Sequence, residues 1–136
     1  MPPPLFERLL NYYGINEEEY SLLIQDKNLE EILSYKNFDN IIEASKLVLD
    51  YVKNNKKILI YGDYDADGVM ATSILSKTLS YLNYKVNYYI PNRYIDSYGI
   101  NVTNAEKIIK AGYDLVITVD NGVSAFEAIS LLKDSG

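Results

Sequence analysis

Ile58-Leu59-Ile60-Tyr61-Gly62-Asp63-Tyr64-Asp65-Ala66-Asp67-Gly68 joins a short apolar run directly to an acidic loop. A continuous apolar run of this length reads as a strand buried on both faces, with no solvent-facing alternation. From Gly68 to Leu82 the period lengthens, and Met70, Ile74, Leu75, Thr78 and Leu79 fall on one side of an expected helix that Gly68 opens. Lys85 to Ile90 reads as a second strand, stopped by Pro91. Thr103 to Ala111 is an expected helix ended by Gly112, Leu115 to Val119 a third strand, and Ser124 to Lys133 a further helix. Strands alternating with helices predict an α/β fold: a three-layer parallel sheet with right-handed crossovers.

Toward the N-terminus the signal is helical. Leu5, Phe6, Leu9, Leu10 and Tyr13 have the spacing of one helix face, and Gly14 offers a stop. Asn16 before Glu17, Glu18 and Glu19 reads as a capped start, with the acids at the positive end of the helix. Asn28 or Asp39 would open later helices, and the stripe from Ile41 to Val52 ends in the polar Asn54-Asn55-Lys56-Lys57 stretch. The expected organisation is thus a helical segment over 1–54 followed by the sheet-forming domain over 55–136.

Composition narrows the chemistry. The 136 residues contain no cysteine and no histidine, which leaves carboxylates to carry any metal binding or acid–base work. No apolar run approaches the roughly 18 residues that span a membrane, and Met1-Pro2-Pro3-Pro4 lacks the flank of a signal peptide. A cytoplasmic globular chain is expected. The net charge of −6 does not match a nucleic-acid groove, so a nucleic-acid role has to be argued from the site.

In a parallel sheet the ligand sits beyond the carboxyl ends of the strands. The loops 62–68, 91–99 and 120–124 lie there. If extended geometry continues past the first strand, Asp63, Asp65 and Asp67 point to one side, where their mutual repulsion calls for a cation. Oxygen ligands suit Mg²⁺ or Mn²⁺. Gly68 would offer a free amide to phosphate at the helix start. Asp120, closing another strand of the same sheet, can lean toward the same ion, and Arg93 can grip a phosphate in bidentate fashion. Competing readings are an acidic turn with a helix cap, an ordinary Asp-Asn-Gly turn at 120–122, and an Arg93–Asp96 surface pair. A calcium loop starting at Asp63 would need a glutamate at its twelfth position, where this chain has Ile74, and a helix before it rather than a strand.

Together the segments Ile60 to Thr72, Tyr89 to Gly99 and Thr118 to Ser124 resemble the DHH phosphoesterase superfamily, and within it the RecJ-like single-stranded-DNA exonucleases. The resemblance runs from about residue 55 onward, with a similar helical lead-in. It implies an incomplete DHH-type Rossmann-like domain. Asp65, Asp67 and Asp120 are the implied catalytic metal ligands, with Asp63 beside them, and Arg93, Gly68 and Asn121 are candidates for the substrate phosphate. It further implies a two-metal Mn²⁺ or Mg²⁺ site, phosphodiester hydrolysis of single-stranded DNA in repair and recombination, and no membrane partner. Ser97 and Asn101 depart from the usual pattern. The Asp-His-His motif is absent, which leads to the expectation of a piece of a longer chain that binds metal weakly and has little activity alone. Two alternatives stand beside this. One is a DHH-type phosphoesterase for oligonucleotides, cyclic dinucleotides or pyrophosphate. The other is a non-catalytic module in which Tyr88, Tyr89, Tyr94 and Tyr98 stack on bases, against the plainer reading of half-buried strand and loop tyrosines.

Overall fold

A computed structural model describes residues 4–25, 34–35, 38–96 and 98–136. The chain divides into two compact units between Ile41 and Ile42. In the first, α1 (Pro4–Tyr13) and α2 (Glu17–Ile24) follow the expected spacing. Gly14 takes the left-handed backbone (φ 67°) that ends α1, and Asn16 and Glu19 form a reciprocal capping box at the start of α2. The rings of Phe6 and Tyr20 meet edge to face at 5.0 Å. The expected start at Asn28 lies outside the described residues.

The second unit is the α/β domain. Its elements are α3 (Ile41–Lys53), β1 (Ile58–Tyr61), α4 (Ala66–Tyr81), β2 (Asn87–Tyr89), α5 (Val102–Lys110), β3 (Leu115–Thr118) and α6 (Phe126–Asp134). The three strands are parallel in the order β2-β1-β3, with Ile60 opposite Tyr88 on one side and Ile117 on the other. The apolar run 58–61 is therefore the central strand, and none of its residues is more than 4% exposed.

Alternation along β1 builds two cores. Leu59 and Tyr61 pack with Ile100, Ala105, Ile108 and Ala128, under α5 and α6. Ile58 and Ile60 pack with Leu79 and Val86, backed by Val48, Tyr51 and Val52 of α3. These are the three layers expected. The helix that the sequence groups with residues 1–54 thus lies in the sheet's own unit. Each fully buried aliphatic side chain of β1 contributes about 1.5–3 kcal/mol.

Two sequence expectations shift. Helix α4 begins at Ala66, with Asp65 as its N-cap, rather than at Gly68. Its buried face is Gly68, Thr72 and Leu79, whereas Met70 and Ile74 are 60% and 63% exposed. The small residues Gly68 and Thr72 face the sheet because only they fit where the helix start touches the end of β1. Strand β2 is shorter than Lys85 to Ile90, and its residues are exposed.

The topology also places the site. After β1 the chain enters α4, which packs on the Ile58–Ile60 face; after β3 it enters α6, which packs on the Leu59–Tyr61 face. Departing to opposite faces from neighbouring strands opens a crevice between the carboxyl ends of β1 and β3, where doubly wound sheets bind ligands.

Candidate metal centre

Asp63, Asp65 and Asp120 converge in that crevice. One carboxylate oxygen of each lies within 4.8 Å of the other two. Asp63 is 1% exposed, and its Oδ1 has no hydrogen-bond partner among the described residues. A buried, unpartnered carboxylate oxygen is costly unless a cation or donor completes it. Asp65 is exposed and already fixed: its Oδ1 accepts the Gly68 N–H at 3.0 Å, as the N-cap of α4. Asp120 holds a left-handed backbone (φ 60°), a conformation that aspartate tolerates better than most residues. Desolvation, then the charges of Asp65, Asp67 and Asp63, raise its carboxyl above the usual aspartate range.

Other expected site residues fall differently. Asp67 sits in the first turn of α4, exposed and outside the group of three, though its charge reaches Asp120. The alternation that would align it with Asp63 and Asp65 ends where the helix begins. The Gly68 N–H is engaged by Asp65, so it is not a free phosphate donor; the glycine serves close packing instead. A Cβ there would lie 2.6 Å from Asp63 Cβ and 2.7 Å from its carbonyl oxygen. Asn121 also spends its amide inside the protein. Its Nδ2 donates to the carbonyls of Val119 (2.9 Å), Gly62 (3.0 Å) and Tyr61 (3.3 Å).

Arg93 is exposed, with its guanidinium carbon 5.5 Å from the centroid of the ring of Tyr64, which lies between Asp63 and Asp65 in sequence. It does not pair with Asp96. That carboxylate is 7% exposed and accepts from the Asn92 N–H (2.8 Å), the Tyr89 hydroxyl (2.8 Å) and Asn104 Nδ2 (3.3 Å), with Lys107 Nζ at 3.9 Å. Asn104 Nδ2 also donates to the Tyr61 hydroxyl at 2.9 Å, which donates to the Gly99 carbonyl at 3.2 Å. This network holds the 91–101 loop against β1, and sequence reasoning missed it. Asn101, a departure from the usual motif, caps α5 by accepting the Asn104 N–H at 2.8 Å, a role it fills as well as serine or threonine. Ser97 lies outside the described residues. Tyr94 and Tyr98 are 94% and 64% exposed, so neither is a half-buried loop residue.

The donor set is all oxygen, anionic and partly buried, which fits a hard divalent cation. The model of the DHH family, N-terminal domain, matches residues 57–136. The chain belongs to the DHH family. Among curated relatives, this DHH chain is 36% identical over 135 residues to the single-stranded-DNA-specific exonuclease RecJ of Haemophilus influenzae, covering 98% of the chain and 23% of the relative. It is 34% identical over 133 residues to RecJ of Bacillus subtilis, covering 98% of the chain and 17% of the relative. The chain therefore spans less than a quarter of the length of these relatives. Among solved structures, exonuclease RecJ bound to manganese superposes with a TM-score of 0.61 at 34% identity, over 68% of this chain and 24% of that one. RecJ from Thermus thermophilus in complex with Mn²⁺ gives 0.63 at 25% identity, over 92% and 16%.

Proposed function

We propose that this DHH chain supplies the aspartate side of a metal-dependent phosphodiesterase site acting on single-stranded DNA. The observation that carries the reading is the convergence of Asp63, Asp65 and Asp120, with the buried Oδ1 of Asp63 left unpartnered. The names of the RecJ relatives and the manganese in the neighbouring structures support both substrate and metal class.

Asp63, Asp65 and Asp120 would hold Mn²⁺ or Mg²⁺, with Asp67 as an outer carboxylate that the family resemblance also counts as a ligand. A divalent ion there supplies Lewis acidity toward a phosphoryl oxygen and lowers the pKa of water, and a pair of ions does so for attacking and leaving oxygens. Arg93, free of Asp96 and resting on Tyr64, orients the phosphate by its planar fork of donors. The left-handed turn at Asp120 and the cap at Asp65 fix the ligands before any substrate arrives, so little ordering is left to the binding step.

With no histidine in the sequence, this chain offers few donors for two ions. The reading therefore includes weak metal binding and little nuclease activity for the 136 residues alone. Among the described residues no helix is long and apolar enough to cross a membrane; a cytoplasmic role in repair and recombination is part of the proposal and rests on the resemblance.

Calorimetric titration of the chain with Mn²⁺, beside Asp120→Asn, tests the site. Saturable binding lost in the variant is expected, and no binding by the wild-type chain would overturn the metal reading. Incubation with single-stranded DNA and Mn²⁺ tests the rest, because robust digestion would remove the claim of inactivity. Preferential cleavage of dinucleotides or pyrophosphate would move the substrate class to another DHH-type phosphoesterase.

A further inference from the structure

The β1–β3 ladder ends at the Val119 N–H, which donates to the Tyr61 carbonyl at 3.0 Å. One step further on, backbone pairing is no longer possible, because Asp120 turns into the left-handed region (φ 60°). The Asn121 side chain takes over there. Its Nδ2 reaches the carbonyls of Gly62 at 3.0 Å and Val119 at 2.9 Å, with Tyr61 at 3.3 Å. Gly62 and Val119 immediately precede Asp63 and Asp120. A single amide nitrogen thus grips the peptide groups that carry two of the three converging carboxylates, and it does so across the crevice that separates their strands.

Its own position is closely determined. Gly122 follows with φ 98°, and a Cβ there would stand 2.8 Å from Thr118 Oγ1, so the turn folds tightly back on β3. The Asn121 Oδ1 is buried and makes no hydrogen bond among the described residues. The nitrogen therefore makes all of the side chain's hydrogen bonds.

We propose that Asn121 is a positioning residue for the cation site, a side-chain rung that sets the separation of Asp63 from Asp120. This rests on the metal reading above and extends it to a residue that touches neither ion nor phosphate. Alanine cannot bridge the two carbonyls, so each strand end relaxes separately. Loss of a group that orients metal ligands typically costs about 10- to 100-fold in metal affinity.

The test compares Mn²⁺ affinity and thermal stability in the full 136-residue chain for wild type, Asn121→Ala, Asn121→Ser and the remote core variant Ile108→Val. Expected are affinity losses of about 10-fold or more for alanine and a smaller loss for serine, whose hydroxyl keeps a donor. Ile108→Val should lower the melting temperature and leave Mn²⁺ affinity unchanged. Wild-type affinity in a folded Asn121→Ala overturns the proposal, as does an affinity loss in Ile108→Val matching that of Asn121→Ala. If the alanine variant does not fold, the serine variant decides by the same criteria. Absence of Mn²⁺ binding in the wild type is a separate result: it removes the metal site itself, and with it anything for Asn121 to position.

Discussion

The Tyr89 hydroxyl donates to Asp96 Oδ2 at 2.8 Å, tying the last residue of an exposed edge strand to a buried carboxylate in the next loop. The same carboxylate accepts from the Asn92 backbone and Asn104, so its loss would strand three donors at once. Asp96→Ala is expected to destabilise the chain by about 1–3 kcal/mol, read from urea denaturation. A change under a few tenths of a kcal/mol would show the network to be incidental.

The Asn92 N–H, and then the Tyr89 hydroxyl, hold the Asp96 carboxyl below its ordinary value of 3.8. A depressed folded value means that the unfolded chain binds the proton more readily. The stabilisation is complete above the unfolded value and is lost as pH falls through 3.8 toward the lower folded value. Denaturation between about pH 6 and about pH 3 should therefore show a falling stability whose slope is reduced in Asp96→Asn. An identical slope in the variant would assign the acid limb to other groups.

Burial, then the bond to Asp96, pushes the Tyr89 hydroxyl up to about 12. Here the folded state holds the proton longer. The contribution is present below the ordinary 10.0 and is lost as pH rises from there toward about 12. Spectrophotometric titration at alkaline pH should show one fewer late-ionising tyrosine in Tyr89→Phe.

Asp120 is raised by desolvation and by its acidic neighbours, so without a cation it keeps its proton to higher pH than an ordinary aspartate. The contribution of this one group to stability is present below the ordinary value of 3.8 and is lost as pH rises through the raised one. On the metal reading proposed above, Mn²⁺ would compete with that proton. Thermal stabilisation by Mn²⁺ should be larger at about pH 7.5 than at about pH 5, reaching about 2.7 kcal/mol when the ion is at roughly 100 times its Kd. Equal stabilisation at both pH values would separate the ion from these carboxylates.

On α4, burial and apolarity part company. Leu79 is 2% exposed and Ile74 is 63% exposed, although both are aliphatic residues of one helix. Leu79→Ala should cost about 2–5 kcal/mol. Ile74→Ala should fall within about 0.5 kcal/mol, as surface substitutions do. Gly68→Ala, which drives a methyl group into the Asp63 backbone, should cost about 1–3 kcal/mol and weaken Mn²⁺ binding as well. Equilibrium denaturation of the three variants checks the stabilities, and Mn²⁺ titration of Gly68→Ala checks the binding.

The strand at 58–61, the helix at 102–110 and the capped start at Asn16 were legible because each depends on a local signal: an unbroken apolar run, a terminal glycine, a capping box. The parallel sheet followed from their order. The site was legible only in part. Asp63, Asp65 and Asp67 read as one row because strand alternation was carried past Asp65, yet Asp65 caps a helix, and helical turning takes Asp67 out of the row. The buried face of α4 was hidden because Met70 and Ile74 outweigh Gly68 and Thr72 in hydrophobicity, whereas contact with β1 selects for small size. The Tyr61–Asn104–Asp96 network had no periodicity to reveal it, since its members meet only once the loop has closed over the strand.

The carboxylates of this centre come from two strand ends that the chain joins only after passing through α4, β2, α5 and β3. A calcium loop gathers its ligands from one short continuous stretch and can form almost by itself. Here the entropy of bringing residue 65 to residue 120 is met by the whole sheet. Mn²⁺ should accordingly ignore a peptide spanning only the first acidic loop. Binding to the intact chain, on the reading proposed above, would report folding of the sheet, because the three carboxylates meet only when β1 and β3 are in register.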